Sequence, residues 1–179
     1  MGFAQGDHMA LSSFQTTVHI GAHADAPSHY DAAGESIETR SLDRYLGPCQ
    51  VISTTVSRGT RVGRHHLPEP PYAPRVLLRT DSFPDPEHFN EDFVAIAPEL
   101  IHHLHEHGVV LVGLDTPSVD LCHDAQMLAH KAIAACGMGI LEGLVFPNIP
   151  DGEYTLIALP LPLEGADASP VRAVLVEGL

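Results

Sequence analysis

Three histidines and an aspartate fall within the stretch HIGAHADAPSH, residues 19–29. His19, His23, Asp25 and His29 all occupy odd positions. Side chains alternate between the faces of an extended strand. Period 2 therefore groups His19, Gly21, His23 and Asp25 on one face, with Val18, Ile20, Ala22 and Ala24 opposite. The β-branched run TTVHI (16–20) leads into them and reads as strand. A straight strand would separate His19 from His23 by about 13 Å, so their imidazoles converge only around a bend or onto a pair of cations. Gly21 permits a bend, and Pro27 suits the turn that DAPSH must make to bring His29 back. Such a polar face is costly to bury unless something satisfies it, and neutral imidazole and carboxylate are ligands that zinc and manganese favour.

Further ligands must come from elsewhere in the chain. Glu142 sits inside the apolar run GILEGLV, where a carboxylate is either paired or a ligand. His130 follows QML on an amphipathic helix. In HHLHEH (102–107), His103 and His107 share a helix face, but histidine near a helix C-terminus also suits the dipole and the surface. His65 and His66 lie in a Pro-rich loop and are weaker candidates, and Cys122 beside His123 stays open. The sequence contains no GxSxG, GxxxxGK[ST] or HExxH, and no GxGxxG after a strand. A serine hydrolase of the α/β type and the usual nucleotide-binding motifs are thereby disfavoured.

The elements that position these groups can be read coarsely. Strand-like runs cover 16–20, 49–56, 75–80, 108–115, 139–146, 154–161 and 171–177. Helices are expected over 97–108 and 124–137, with Gly108 and Gly137 as their C-terminal stops, and 36–46 also reads as helical. Pro and Gly gather between these runs, notably in LPEPPYAP (67–74). The outcome is one mixed, sheet-dominated α/β domain spanning 1–179, with the last Pro-containing strands at sheet edges.

Composition narrows the partners. Nine basic residues face 23 acidic ones, a net charge of −14 that argues against nucleic acid. No window approaches the ~18 apolar residues of a membrane span. The opening MGFAQGDHMALSS lacks the pattern of a signal peptide, so a soluble cytoplasmic protein is expected. Cys49, Cys122 and Cys136 are odd in number and form no CxxC, so they read as reduced, mostly buried thiols. Edge strands and the apolar VRAVLV need covering, which a homodimer would supply.

HIGAHADAPSH resembles the HxGTHxDxPxH signature of the metal-dependent cyclase-like hydrolases, with Ala22 in place of the usual threonine. VGLDTPSVD (112–120), LAHKAIAACGMGILEGL (128–144) and LPLPLEGADASPVRAVLV (159–176) are similar to the bacterial kynurenine formamidase (arylformamidase) branch. The resemblance implies a swivelling β/β/α fold and hydrolysis of N-formyl-L-kynurenine to L-kynurenine and formate in tryptophan degradation. It implies two Zn²⁺ per subunit, with Mn²⁺ or another divalent ion as a substitute. The implied ligands are His19, His23, Asp25, His130 and Glu142, the last two keeping the family's twelve-residue separation. His29 is implied as proton donor and acceptor to a metal-activated water. A homodimer is implied as well. The family's N-terminal Trp-Pro-Gly-Asp-like stretch has no counterpart in this tryptophan-free sequence, so the aryl wall is expected from Phe3, Phe14 or a partner subunit. The alternatives are an isatin hydrolase-like amide hydrolase and a catalytically silent metal-binding or assembly module.

Overall fold

Apolar runs that bury both faces of a strand build the centre of this molecule, a computed structural model that describes residues 1–70 and 72–178. In chain order the elements are β1 (His23–Asp25), β2 (Leu46–Ser53), β3 (Arg61–Val62), β4 (Arg75–Arg79), β5 (Ala95–Ile96), α1 (Pro98–Glu106), β6 (Leu111–Leu114), α2 (Leu128–Cys136), β7 (Gly139–Glu142), β8 (Gly152–Ile157), β9 (Ala168–Pro170) and β10 (Val174–Val176). Eight strands form one sheet in the order β10-β8-β2-β4-β6-β7-β1-β9, and β3 pairs with β5 apart from it. The four central strands β2, β4, β6 and β7 run parallel, while the flanking pairs are antiparallel.

Alternation explains the packing. Val76, Leu78, Val112, Leu114 and Ile140 face a core completed by Leu100, Ile101 and Leu104 of α1 and Ala129, Ala132 and Ile133 of α2. Their strand neighbours Leu77, Leu111 and Leu141 face the opposite core with Ala24, Val51, Tyr154 and Leu156. The mixed, sheet-dominated α/β class expected from the sequence is therefore what forms.

Several local expectations change. The run 16–20 is not a strand: β1 begins at His23, after Gly21 turns the chain with φ 56°. The segment 36–46 holds two short 3-10 turns, Ile37–Thr39 and Leu42–Arg44, rather than a helix. The second long helix begins at Leu128, four residues beyond the expected Asp124. Strand β8 lies inside the sheet between β2 and β10, so the edges are β9 and β10. Pro71 of the Pro-rich run lies outside the described residues. Cys49 is buried, while Cys122 and Cys136 are half-buried, and all three are free. Among the described residues no helix is long and apolar enough to cross a membrane.

Candidate metal centre

Strand β1 is the structural base of the site. It pairs with β7 in a register that sets His23 opposite Glu142, and with β9 on its other side. Period 2 then puts His23 and Asp25 on one face, while Ala24 enters the core behind them. Glu142 comes from the end of β7, where Gly143 follows with φ 64°. A Cβ on Gly143 would lie 2.3 Å from the carbonyl oxygen of Gly21, so only glycine allows β7 to close against this turn. The same Gly21 carbonyl accepts the Nδ1–H of His23 at 2.8 Å.

His130 enters from the first turn of α2. Asp120, the last residue of DTPSVD, accepts the backbone N–H groups of Ala129 and His130 at the start of that helix. It also accepts Nδ1–H of His130 at 2.9 Å, and it pairs with Arg61 at 2.9 Å. One carboxylate thus caps the helix and fixes the imidazole's tautomer. Its partners outweigh the burial that opposes ionisation and hold Asp120 well below the ordinary carboxylate range.

The remaining atoms converge. Nε2 of His23 lies 3.5 Å from Oδ1 of Asp25 and 3.3 Å from Oε2 of Glu142. Nε2 of His130 lies 3.5 Å from the other Asp25 oxygen and 3.7 Å from Oε1 of Glu142. Nδ1 of His19 lies 3.1 Å from Oδ1 of Asp25. His23, Asp25, His130 and Glu142 are all buried. Yet Nε2 of His23, Nε2 of His130 and both Asp25 oxygens have no hydrogen-bond partner. In the neutral form of each ring Nδ1 holds the proton, facing Gly21 or Asp120, and Nε2 offers a lone pair. Lone pairs directed at one another in a dry interior repel and forfeit solvation unless a cation lies among them. Two donor atoms on a tetrahedral ion with bonds near 2.0–2.2 Å stand roughly 3.4 Å apart, close to the separations seen. The residues fit a divalent cation.

The protonation equilibria agree. Asp25 and, more weakly, Asp167 raise His19 to about 9 despite partial burial. Burial pulls His130 down, but Asp120 and Asp25 outweigh it and raise the ring to about 9. His23 is raised as well, Glu142 overcoming the effect of burial. Burial and the neighbouring Asp25 push Glu142 up, whereas the histidines hold Asp25 well below the carboxylate range against its own burial. Protons occupy, in part, the place of a cation.

His29 ends a 3-10 turn, Pro27–His29, with the proline at its first position as the sequence suggested. Its ring centroid is 4.2 Å from that of His19 and 5.8 Å from that of His130. It touches the centre while staying partly exposed. The five expected ligands and His29 are thus brought together.

The other histidines are elsewhere. His103 and His107 stack near Tyr72 and, among the described residues, join no group of ligand atoms, and His65 stacks on His66. His123 pairs with Glu91 at 3.1 Å on the exposed surface beside Cys122. Phe3 and Phe14 are largely exposed.

Residues 3–121 match the model of the Cyclase family. The chain belongs to that family. Among solved structures it is similar to a potential metal-dependent hydrolase with cyclase activity, at 29% identity over 90% of this chain and 80% of that one, TM-score 0.79. A predicted metal-dependent hydrolase from Bacillus stearothermophilus is 29% identical over 94% of this chain and 82% of that one, TM-score 0.76. Isatin hydrolase A from Labrenzia aggregata shares the fold at 24% identity, covering 90% of this chain and 75% of that one, TM-score 0.67.

In this family member two site residues escaped the sequence reading. Asp120 lies eight residues ahead of the helix start at Leu128, too far along the chain to be read as its cap, and Asp124 between them pairs with Arg61. Asp167, in GADASP, has no local signal and lies 138 residues from its partner His29.

Proposed function

We propose that this chain is a metal-dependent arylformamidase that hydrolyses N-formyl-L-kynurenine to L-kynurenine and formate. The observation that carries the hydrolytic centre is the set of four buried, unpartnered ligand atoms on His23, Asp25 and His130. Asp25 and Glu142 each turn one oxygen toward His23 and the other toward His130, a donor set that could serve more than one divalent cation. His19, His23, Asp25, His130 and Glu142 would hold them, with Zn²⁺ matching the nitrogen and oxygen donors. When bound, such ions supply Lewis acidity, lowering the pKa of water toward ~7 and polarising a carbonyl.

His29 takes a proton from the attacking water and returns it to the departing arylamine nitrogen. Water oxygen bonds to the formyl carbon, the C–N bond breaks, and no covalent intermediate with the protein is needed. The narrower assignment to an aryl formamide rests on the DTPSVD block and the tail resembling the formamidase branch. A cavity of about 290 Å³ borders the centre at His130 and Asp120. Phe89, Phe93, Pro117, Leu121 and Met127 form its apolar lining.

The test compares kcat/KM for N-formyl-L-kynurenine and isatin with the zinc-loaded protein. The proposal expects formylkynurenine to be preferred by at least about 100-fold, more than two kcal/mol of transition-state discrimination. Preference for isatin would replace it with a cyclic-amide hydrolase.

A further inference from the structure

The side chain of Asp167, just before β9, bridges two histidines that the sequence places far away. Its Oδ2 lies 3.1 Å from Nδ1 of His29 and 3.0 Å from Nε2 of His19. The backbone fixes this position: Ala26 donates its N–H to the Asp167 carbonyl at 2.9 Å, and Ile37 donates to Ala166 at 2.9 Å. Asp167 is therefore tied to the segment that carries His29, and β9 continues the pairing along β1. An ionised carboxylate only accepts hydrogen bonds, so each of the two ring nitrogens facing it must carry its proton. Nδ1 of His29 is then the protonated nitrogen, and Nε2 keeps the lone pair.

We propose that Asp167 is the positioning residue for His29, holding the tautomer whose Nε2 can take a proton. The inference rests on the hydrolytic reading above and adds the group that makes His29 competent. The sequence of bonds is complete without further reactants. Nε2 accepts a proton from water as the water oxygen bonds to the formyl carbon. The ring becomes an imidazolium with both nitrogens protonated, stabilised by Asp167. Nε2 then gives its proton to the amine nitrogen as the C–N bond breaks, and the original tautomer returns. The other groups facing His29 are His19, Asp25, His130 and Tyr30. Among the described residues none of these contacts with His29 is a hydrogen bond, so the Asp167 contact selects which nitrogen is protonated.

Asp167→Asn retains size and backbone bonding but can offer an N–H to the ring. Two measurements at saturating Zn²⁺ test the proposal, since saturation removes any effect on metal affinity through His19. The first is the ¹⁵N shift pair of His29. The wild type is expected to show protonated Nδ1 and bare Nε2, and Asp167→Asn to show a mixed or inverted pattern. The second is a double-mutant cycle in formylkynurenine turnover. Asp167→Asn is expected to lower kcat by about 10²-fold with KM little changed, yet to add less than about threefold in a His29→Ala background. Asp167→Ala, which offers no donor, serves as a second variant and is expected to couple to His29 in the same way. Unchanged ¹⁵N shifts, or losses that multiply independently in the double mutant, would overturn the assignment.

Discussion

A histidine held between carboxylates in a dry site keeps its proton until a cation displaces it. His19 and His130, raised to about 9, are therefore protonated at neutral pH in the metal-free protein. Metal uptake must expel those protons, so affinity for Zn²⁺ should climb by up to about tenfold per pH unit for each displaced proton, levelling off above about pH 9. Unperturbed imidazoles would place that transition nearer ~6.5. Calorimetric titration in buffers of different ionisation enthalpy measures the protons released, and an affinity that is flat from pH 7 to 9 would contradict this picture. The same shifts act on stability in the metal-free state. The native protein binds more protons than the unfolded chain between about 6.5 and 9, so its Tm should fall as pH rises through that window. At this scale His29 is distinct: His29→Ala should keep metal and fold while lowering turnover ~10²–10⁴-fold. Loss of metal in that variant, read by elemental analysis, would make His29 a ligand instead.

At the scale of elements, the site depends on how β1 and β7 meet. Gly143 supplies no ligand atom, yet its left-handed φ and the absence of a side chain, whose Cβ would lie 2.3 Å from the Gly21 carbonyl oxygen, let β7 and the Gly21 turn close together and so set where Glu142 and His23 stand. Gly143→Ala should cost at least about 1–2 kcal/mol from backbone strain, with added loss from the collision, lowering Tm by about 2–4 °C per kcal/mol. It should also weaken Zn²⁺ binding, because the Gly21 carbonyl orients the His23 ring. A variant with unaltered Tm and affinity would show that the turn can relax freely. The composition of this junction was partly legible from sequence. Period 2 put His23 and Asp25 on one face as expected, and the apolar surroundings of Glu142 marked it as either paired or a ligand; the structure sets it beside His23 and His130. The strand expected before His23 did not form, because Gly21 turns the chain just ahead of β1 and the residues preceding it are largely exposed. Asp120 and Asp167 were out of reach because their partners are tertiary.

Across the whole molecule, the long apolar runs fixed the parallel centre of the sheet, since they alone could fill both cores. Strand order and the short strands β3, β5 and β9 follow from pairings that leave little trace in local composition. The sheet ends in β9 and β10, and the β10 side has an apolar row. Leu46, Ile157 and Val174 are in register across β2, β8 and β10, and Leu46 and Val174 are each more than 40% exposed. Such an edge calls for cover, and a second copy is the commonest solution. Sedimentation should give the mass of two chains, and Val174→Lys should shift it toward one. A single-chain mass at every accessible concentration would rule the dimer out.

In the proposed reaction, His19, His23, Asp25, His130 and Glu142 hold the metal that hydrolysis of an aryl formamide requires. The most direct test is stepwise addition of Zn²⁺ to chelator-stripped protein while kynurenine formation is followed by absorbance. Turnover should be absent without metal, rise to a plateau by two equivalents per chain, and fail to return in His23→Ala or Asp25→Ala. Full turnover by the stripped protein, or by either variant, would contradict the account.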